Sequence, residues 1–259
     1  MSHLLSQLAG NELGGFILVL ARVTPLFLLA PIFSSTVIPP VVKGMIAVGI
    51  SVGLTPIAMH GQHIPSDPLQ VAGLVVEGLL VGASFAFALA CLMAAIESAG
   101  SFIDVVAGFS YGELINPLYG DSSAVISRFY SLFGTMVFLV IGGDAWTLRG
   151  LGRTFQLVPL TEAPKIGSLV GGAEQVFSTI FTSAIEIAAP VLAALLITDV
   201  AFGVVSRVVP QMNVFAVGFP TKVAVALLVV CASLPFVSNW VSGQLSSSVA
   251  AALGALHVA

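Results

Sequence analysis

Residues 69–103 read LQVAGLVVEGLLVGASFAFALACLMAAIESAGSFI, a run in which both helical faces are apolar. A helix that is apolar all round is buried in protein or faces lipid, and roughly 20 such residues suffice to cross a bilayer. As a helix this run would be about 52 Å long, against a hydrocarbon core of about 30 Å. We therefore expect a membrane helix that tilts, bends or projects beyond the bilayer.

The composition of the whole chain argues against a soluble protein. Of its 259 residues, 58% are hydrophobic and 8% are charged, whereas soluble domains have about 25% charged residues. The formal net charge is −4 and no basic run occurs, so nucleic-acid binding has no support. No Lys or Arg precedes the first apolar run, which favours a retained first helix over a cleaved signal peptide.

Six apolar runs along the chain are long enough to span a membrane. Prolines and polar clusters such as Pro39-Pro40 and the stretch 60–68 separate them. The pattern predicts an all-α membrane protein with about six long helices arranged as helical hairpins. Lys and Arg are too scattered to fix the orientation in the membrane. The runs lie at 13–33, 37–59, 69–103, 123–142, 176–209 and 213–240.

Ionisable residues interrupt nearly every apolar run. Each costs several kcal/mol if it faces lipid, so such residues normally face protein or water. They could form a proton relay, or they could make contacts that lock helices and subunits together. The residues concerned are Arg22, Lys43, Glu77, Glu97, Asp104, Arg128, Glu186, Asp199 and Lys222.

One ion pair can be predicted from helix register. If 176–209 and 213–240 form a hairpin that turns near Met212, Asp199 lies 13 residues before the turn and Lys222 lies 10 after it. The two depths then differ by about 5 Å, which a lysine side chain can bridge. We predict a salt bridge between Asp199 and Lys222.

A ladder of small side chains recurs every four residues within 69–103. Small residues at this spacing let membrane helices approach closely, although Ala and Gly are also common in such helices for no specific reason. Each step advances roughly 40° around the helix, so the seam winds past several neighbours. The ladder consists of Gly78, Gly82, Ala86, Ala90, Ala94 and Ser98.

Signals of catalysis and metal binding are weak. The sequence GFSYG at 108–112 matches a nucleophile elbow around Ser110, but it follows an apolar helix and has no supporting histidine motif. His60 and His63 form an isolated H-x-x-H pair without further spaced ligands. We expect no enzyme activity, no cofactor and no metal.

The same segment combines pliable glycines with bulky apolar side chains. Glycine loosens the backbone, and the apolar groups seek burial, so the segment could act as a compliant seal. The alternative is a membrane-buried connecting loop. The candidate seal residues are Gly108, Phe109, Tyr111, Gly112, Leu114, Ile115, Leu118 and Tyr119.

Three stretches together resemble a known family. They are ARVTPLFLLAPIFSSTVIPPVVKGMIAVGIS at 21–51, ESAGSFIDVVAGFSYGELINP at 97–117 and VVPQMNVFAVGFPTKVAVALL at 208–228. They look like the FliR family of the flagellar and virulence type III export apparatus, over essentially the whole chain. The choice of a flagellar system over a virulence system rests on this resemblance alone.

The resemblance implies a non-enzymatic subunit of the export gate in the bacterial inner (cell) membrane at the flagellar basal body. It implies assembly with FliP and FliQ beside FlhB and FlhA, embedded in membrane lipid, with unfolded export substrates passing through the pore. Residues 1–175 would be FliP-like with a plug at about 108–121, and residues 176–259 would be a FliQ-like helical hairpin and C-terminal tail. Where the family often places two phenylalanines, this chain has Tyr111 and Leu114.

Two other functions compete with this one. A secondary transporter or ion channel would use the buried carboxylates, and it would work without partner subunits. An intramembrane hydrolase would depend on Ser110 and would be inactivated by Ser110→Ala.

Overall fold

A computed structural model describes residues 2–35, 37–65, 67–110, 125–211 and 213–257. Within these ranges the chain forms helices and no strand, which confirms the predicted all-α class. The helices are α1 (Ser2–Leu29), α2 (Pro40–Ala58), α3 (Pro68–Ala107), α4 (Val125–Val140), α5 (Gly143–Leu157), α6 (Ile166–Val208) and α7 (Val214–His257).

Prolines and polar caps set several helix ends. Helix α2 begins with Pro40. Proline fits the first position because an amide there would have no acceptor within the helix. Helix α7 begins after Asn213, whose side-chain oxygen accepts a hydrogen bond from the Ala216 amide at 3.1 Å. Between α4 and α5, Gly142 has a φ of 71°, a left-handed conformation that glycine adopts without strain.

Five helices in the described ranges are long and apolar enough to cross a membrane, or six if α4 and α5 together count as one span. The predicted count of six therefore matches the upper figure. Helices α6 and α7 have 43 and 44 residues. At 1.5 Å per residue each is about 65 Å long, roughly twice the hydrocarbon thickness.

The helices extend beyond the predicted apolar runs at the beginning of α1, which starts at Ser2 and not at 13, and at two further places. The predicted connection 143–175 contains α5 and the first residues of α6, and α7 continues to His257, past the predicted end at 240. Both segments carry more polar or small residues than the apolar runs. Hydropathy therefore missed them, whereas the helical backbone tolerates such residues.

The chain divides into two compact units. Unit 1 comprises residues 1–91, 142–177 and 245–259, and unit 2 comprises 92–141 and 178–244. In unit 1, α1 packs against α2, and α2 also contacts α5. In unit 2, α4 and parts of α3, α6 and α7 surround a core that includes Ile96, Ile103, Tyr130, Ile187 and Val191.

Candidate functional site

The predicted plug begins where α3 ends. Gly108 has a φ of 94° there, and the Asp104 carbonyl accepts hydrogen bonds from the amides of Gly108 at 3.1 Å and Phe109 at 2.9 Å. This is a common way to end a helix, and it favours glycine at the left-handed position. Phe109 packs against the core of unit 2. The remaining candidate seal residues lie outside the described residues: Tyr111, Gly112, Leu114, Ile115, Leu118 and Tyr119.

The Asp104 side chain belongs to the same helix end and is only 1% exposed. Its two carboxylate oxygens accept hydrogen bonds from the amides of Ile126 at 3.0 Å and Ser127 at 2.8 Å. These amides belong to the first turn of α4, where they have no acceptor in their own helix. Asp104 therefore caps α4 from α3.

Among the residues whose burial is described, Arg22 is a second deeply buried charged residue, with 2% exposure. One guanidinium nitrogen donates to the carbonyls of Thr154 at 3.1 Å and Val158 at 2.7 Å. The guanidinium also lies 4.7 Å from the centre of the Phe155 ring. Since both carbonyls lie at the C-terminal end of α5, the cation meets the negative end of the helix dipole. In the described part of the chain, Arg22 Nε and one oxygen of Glu77 are buried without a hydrogen-bond partner.

The remaining predicted charges are more accessible. Lys43 donates to the Ser34 carbonyl at 2.8 Å. Glu97, Arg128 and Glu186 are exposed on their helices. The hydrogen bonds of Arg22, Lys43 and Asp104 described above all involve backbone groups, an arrangement that favours a structural role over a proton relay.

Helices α6 and α7 form an antiparallel hairpin in unit 2. Lys222 Nζ lies 2.8 Å from Asp199 Oδ1, so the ion pair predicted from helix register is present. Further along, Trp240 Nε1 donates to Glu186 Oε2 at 3.2 Å. The two pairs run in opposite directions along the helices, as an antiparallel hairpin requires. The predicted turn residue Met212 lies outside the described residues.

The ladder of small residues on α3 has an uneven environment. A Cβ on Gly82 would collide with the Arg22 carbonyl oxygen of α1, and a Cβ on Gly78 would lie 3.5 Å from the Leu18 carbonyl oxygen. Ala86 is buried, whereas Ala90, Ala94 and Ser98 are only partly buried. Of the two glycines in the ladder, Gly82 therefore marks a close approach to the backbone of α1, whereas Gly78 is in ordinary contact with it.

Comparison with known proteins gives a consistent result. Residues 13–248 match the family described as bacterial export proteins, family 1. The chain belongs to this family. It is 32% identical to flagellar biosynthetic protein FliR of Bacillus subtilis (strain 168) over 231 residues, which cover 86% of this chain and 87% of the relative. It is 26% identical to FliR of Escherichia coli (strain K12), covering 85% and 84% of the two chains.

A second group of relatives carries another name. The chain is 28% identical to surface presentation of antigens protein SpaR of Shigella flexneri, covering 85% of this chain and 86% of the relative. The resemblance to the FliR family is confirmed by these matches. This bacterial export protein thus has relatives with flagellar names and relatives named for the presentation of surface antigens.

Sequence reasoning missed two contacts in this export protein. The partners of Arg22 are backbone carbonyls at the end of α5, and no side-chain pattern marks them. The second is Gly100, where a Cβ would collide with the backbone of Ser127. Gly100 lies between Ala99 and Ser101, and this run of small residues could have indicated a second close approach beside the four-residue ladder.

Proposed function

We propose that this chain is a core subunit of a flagellar type III protein export gate. With FliP and FliQ subunits, next to FlhB and FlhA, it forms the pore through which unfolded flagellar substrates cross the inner membrane. It supplies structure and a seal, and it catalyses no reaction itself. The family match and the relatives named FliR support the assignment to an export system. The exposed surfaces of the helices support assembly with partner subunits.

The observation that carries the proposal is the exposure of charged side chains on apolar helices. Glu97, Glu186 and Asp199 are exposed in helices α3 and α6, which are apolar enough to cross a membrane. A carboxylate at the bilayer centre costs about 2.5–3.5 kcal/mol even on the lowest scales. Contact with neighbouring protein subunits, or with a water-filled pore, removes this cost.

Helix length supports the same conclusion. Helices of 40, 43 and 44 residues exceed the bilayer core, so part of each apolar surface needs cover other than acyl chains. Large apolar side chains on these helices are exposed in the single chain, for example Ile197 at 70% and Leu228 at 71%. Partner helices are the natural cover for such surfaces in a membrane assembly.

Within this proposal the chain has two parts. Residues 1–175 act as the FliP-like part, and residues 176–259 act as the FliQ-like hairpin and tail. The segment 108–121 is the plug, an apolar gate that is closed at rest and is displaced by a passing chain. Because apolar packing is not directional, such a gate does not depend on the substrate sequence.

Co-purification tests the assembly. A tagged chain is extracted in mild detergent with and without co-expressed FliP and FliQ. We expect a stable complex when the partners are present, and a lower yield of folded chain, with more aggregation, when they are absent. An Ile197→Arg variant should lose the partners because it places a charge on an exposed apolar face.

Glu162→Arg is the matched control for that variant, because Glu162 is exposed in the connection between α5 and α6. It should keep both partners. A monodisperse single chain that transports ions or solutes in liposomes without FliP and FliQ would instead support the transporter function.

Leakage tests the plug. Removal of residues 109–119 should increase the passage of small molecules through the assembled gate in cells. As a control, the exposed stretch 161–163 between α5 and α6 is replaced by Gly-Ser-Gly, which should leave leakage unchanged. Equal leakage in the deletion variant and the parent would contradict the assignment of the plug.

A further inference from the structure

The end of α3 and the beginning of α4 are joined by one buried carboxylate. Asp104 lies three residues before the last residue of α3 at Ala107, and it caps the amides of Ile126 and Ser127 in the first turn of α4. A carboxylate at this place also interacts favourably with the positive end of the α4 dipole. The chain leaves α3 and enters α4 within a few residues of this contact.

Close backbone packing surrounds the carboxylate. A Cβ on Gly100 would collide with Ser127, and it would lie 3.0 Å from the Ile126 carbonyl oxygen. The Ser127 hydroxyl donates to the Glu97 carbonyl at 3.1 Å, and the Ser101 hydroxyl donates to that of Ser127 at 3.2 Å. These contacts align the two helices, but each of them is made by neutral groups. Asp104 supplies the charged contact, and charged hydrogen bonds are about twice as strong as neutral ones.

We propose that Asp104 is a positioning residue, which fixes the separation between the end of α3 and the beginning of α4. The segment proposed as the plug lies between these two helix ends in the sequence. The effect on helix separation stands on the contacts above, whereas the effect on leakage rests on the proposed function.

The number of acceptor oxygens on the side chain at position 104 predicts a graded effect of substitutions. A carboxylate has two acceptor oxygens for two amides, whereas the carboxamide of Asn has one acceptor and would turn its NH₂ group towards the other amide. Asp104→Asn should therefore weaken the contact between the end of α3 and the beginning of α4 in part. Asp104→Leu has a similar size and no acceptor, so it should release both amides.

Measurement of the distance between α3 and α4 in the assembled gate tests this role of Asp104. Spin labels are placed at Val105 on α3 and Leu132 on α4, which are 63% and 65% exposed. Cys91 and Cys231 are replaced by Ala to avoid labelling elsewhere. We expect one narrow distance distribution in the parent, a partly broadened one in Asp104→Asn, and loss of the narrow distribution in Asp104→Leu. Ser101→Ala removes a neutral contact in the same place and should keep the narrow distribution.

Several outcomes would overturn the proposal. One is an unchanged distribution in Asp104→Leu or, if that variant does not assemble, in Asp104→Asn. Equal broadening in Ser101→Ala would show that general packing, and not the carboxylate, fixes the separation.

Leakage measured on the same variants separates this proposal from the function of the plug. We expect leakage in Asp104→Leu to rise towards that of the 109–119 deletion. If the deletion leaks and Asp104→Leu does not, despite a broadened distribution, Asp104 does not anchor the seal. If the distribution broadens and even the deletion does not leak, the plug assignment fails and the role of Asp104 in helix separation stands.

Discussion

The surroundings of Arg22 and the α6–α7 hairpin handle charge in apolar helices in opposite ways. Arg22 is buried in unit 1 and binds the backbone carbonyls of Thr154 and Val158. In the hairpin of unit 2, Asp199 and Lys222 pair with each other, with side chains that are 46% and 20% exposed. The first charge serves the fold of the chain, whereas the second pair remains on the surface.

The contrast predicts which surfaces would take part in the proposed assembly. A buried cation that binds carbonyls at a helix end has partners within its own chain and holds distant segments together. In an exposed ion pair among apolar residues, the charged atoms that do not face the partner side chain remain on the surface. Contact of these atoms with lipid is energetically costly. We therefore expect variants at Arg22 to destabilise the isolated fold, and variants on the hairpin to act mainly through the assembled complex.

The largest expected effect is at Arg22. Arg22→Met removes the donor from two buried carbonyls and should lower the free energy of unfolding by about 3 kcal/mol. Arg22→Lys keeps the charge but loses the planar guanidinium that stacks on Phe155, so its loss should be smaller. Steric-trapping measurements in bicelles give both values. Equal stability of Arg22→Met and the parent would remove the contrast between the two regions.

The next largest effect is expected at Gly82, where α3 lies close to the backbone of Arg22. Gly82→Ala puts a methyl group against the Arg22 carbonyl oxygen and should cost about 1–3 kcal/mol, because a packed backbone cannot move away freely. Gly73→Ala is the matched control, since nothing lies within 4 Å of its Cβ position on the same helix. That change should stabilise the helix by about 0.5–1 kcal/mol. The same unfolding assay should therefore give opposite signs for the two glycines.

A smaller effect is expected for the ion pair in the hairpin. Lys222→Met should destabilise the chain, and the further change Asp199→Leu should recover part of the loss. The coupling energy in a double-mutant cycle should be about 0.5–1 kcal/mol in the isolated chain, because both side chains are partly exposed. Strictly additive single changes would show that the two residues do not interact. A larger coupling in the assembled gate would sharpen the contrast with Arg22.

The smallest effect should come from Glu186. Glu186→Gln removes the charge but keeps an oxygen that can accept the hydrogen bond from Trp240 Nε1, so the stability of the isolated chain should change by only about 0.5 kcal/mol. Glu186→Leu, which loses the acceptor, is the comparison. If Glu186→Gln lowers the yield of the complex with FliP and FliQ while the single chain stays stable, the charge acts between subunits.

The sequence alone determined the membrane class, most of the helices and the register of the α6–α7 hairpin. These features depend on local patterns: apolar runs of sufficient length, proline and asparagine at helix ends, and a short connection that sets two helices antiparallel. The pair Asp199–Lys222 was predictable because 23 residues and one turn separate its members. Helix α5 was missed because its polar residues hide it from hydropathy, although tertiary packing keeps it helical.

Only the tertiary structure showed what Arg22 and Asp104 bind. The acceptors of Arg22 lie 132 and 136 residues away along the chain, and the donors to Asp104 are amides of another helix. All of these partners are backbone groups, which every residue type carries, so no sequence pattern distinguishes them. In the folded chain the C-terminal end of α5 lies next to Arg22, and the N-terminal end of α4 lies next to Asp104. Each side chain therefore completes hydrogen bonds that the helix end cannot make within its own helix.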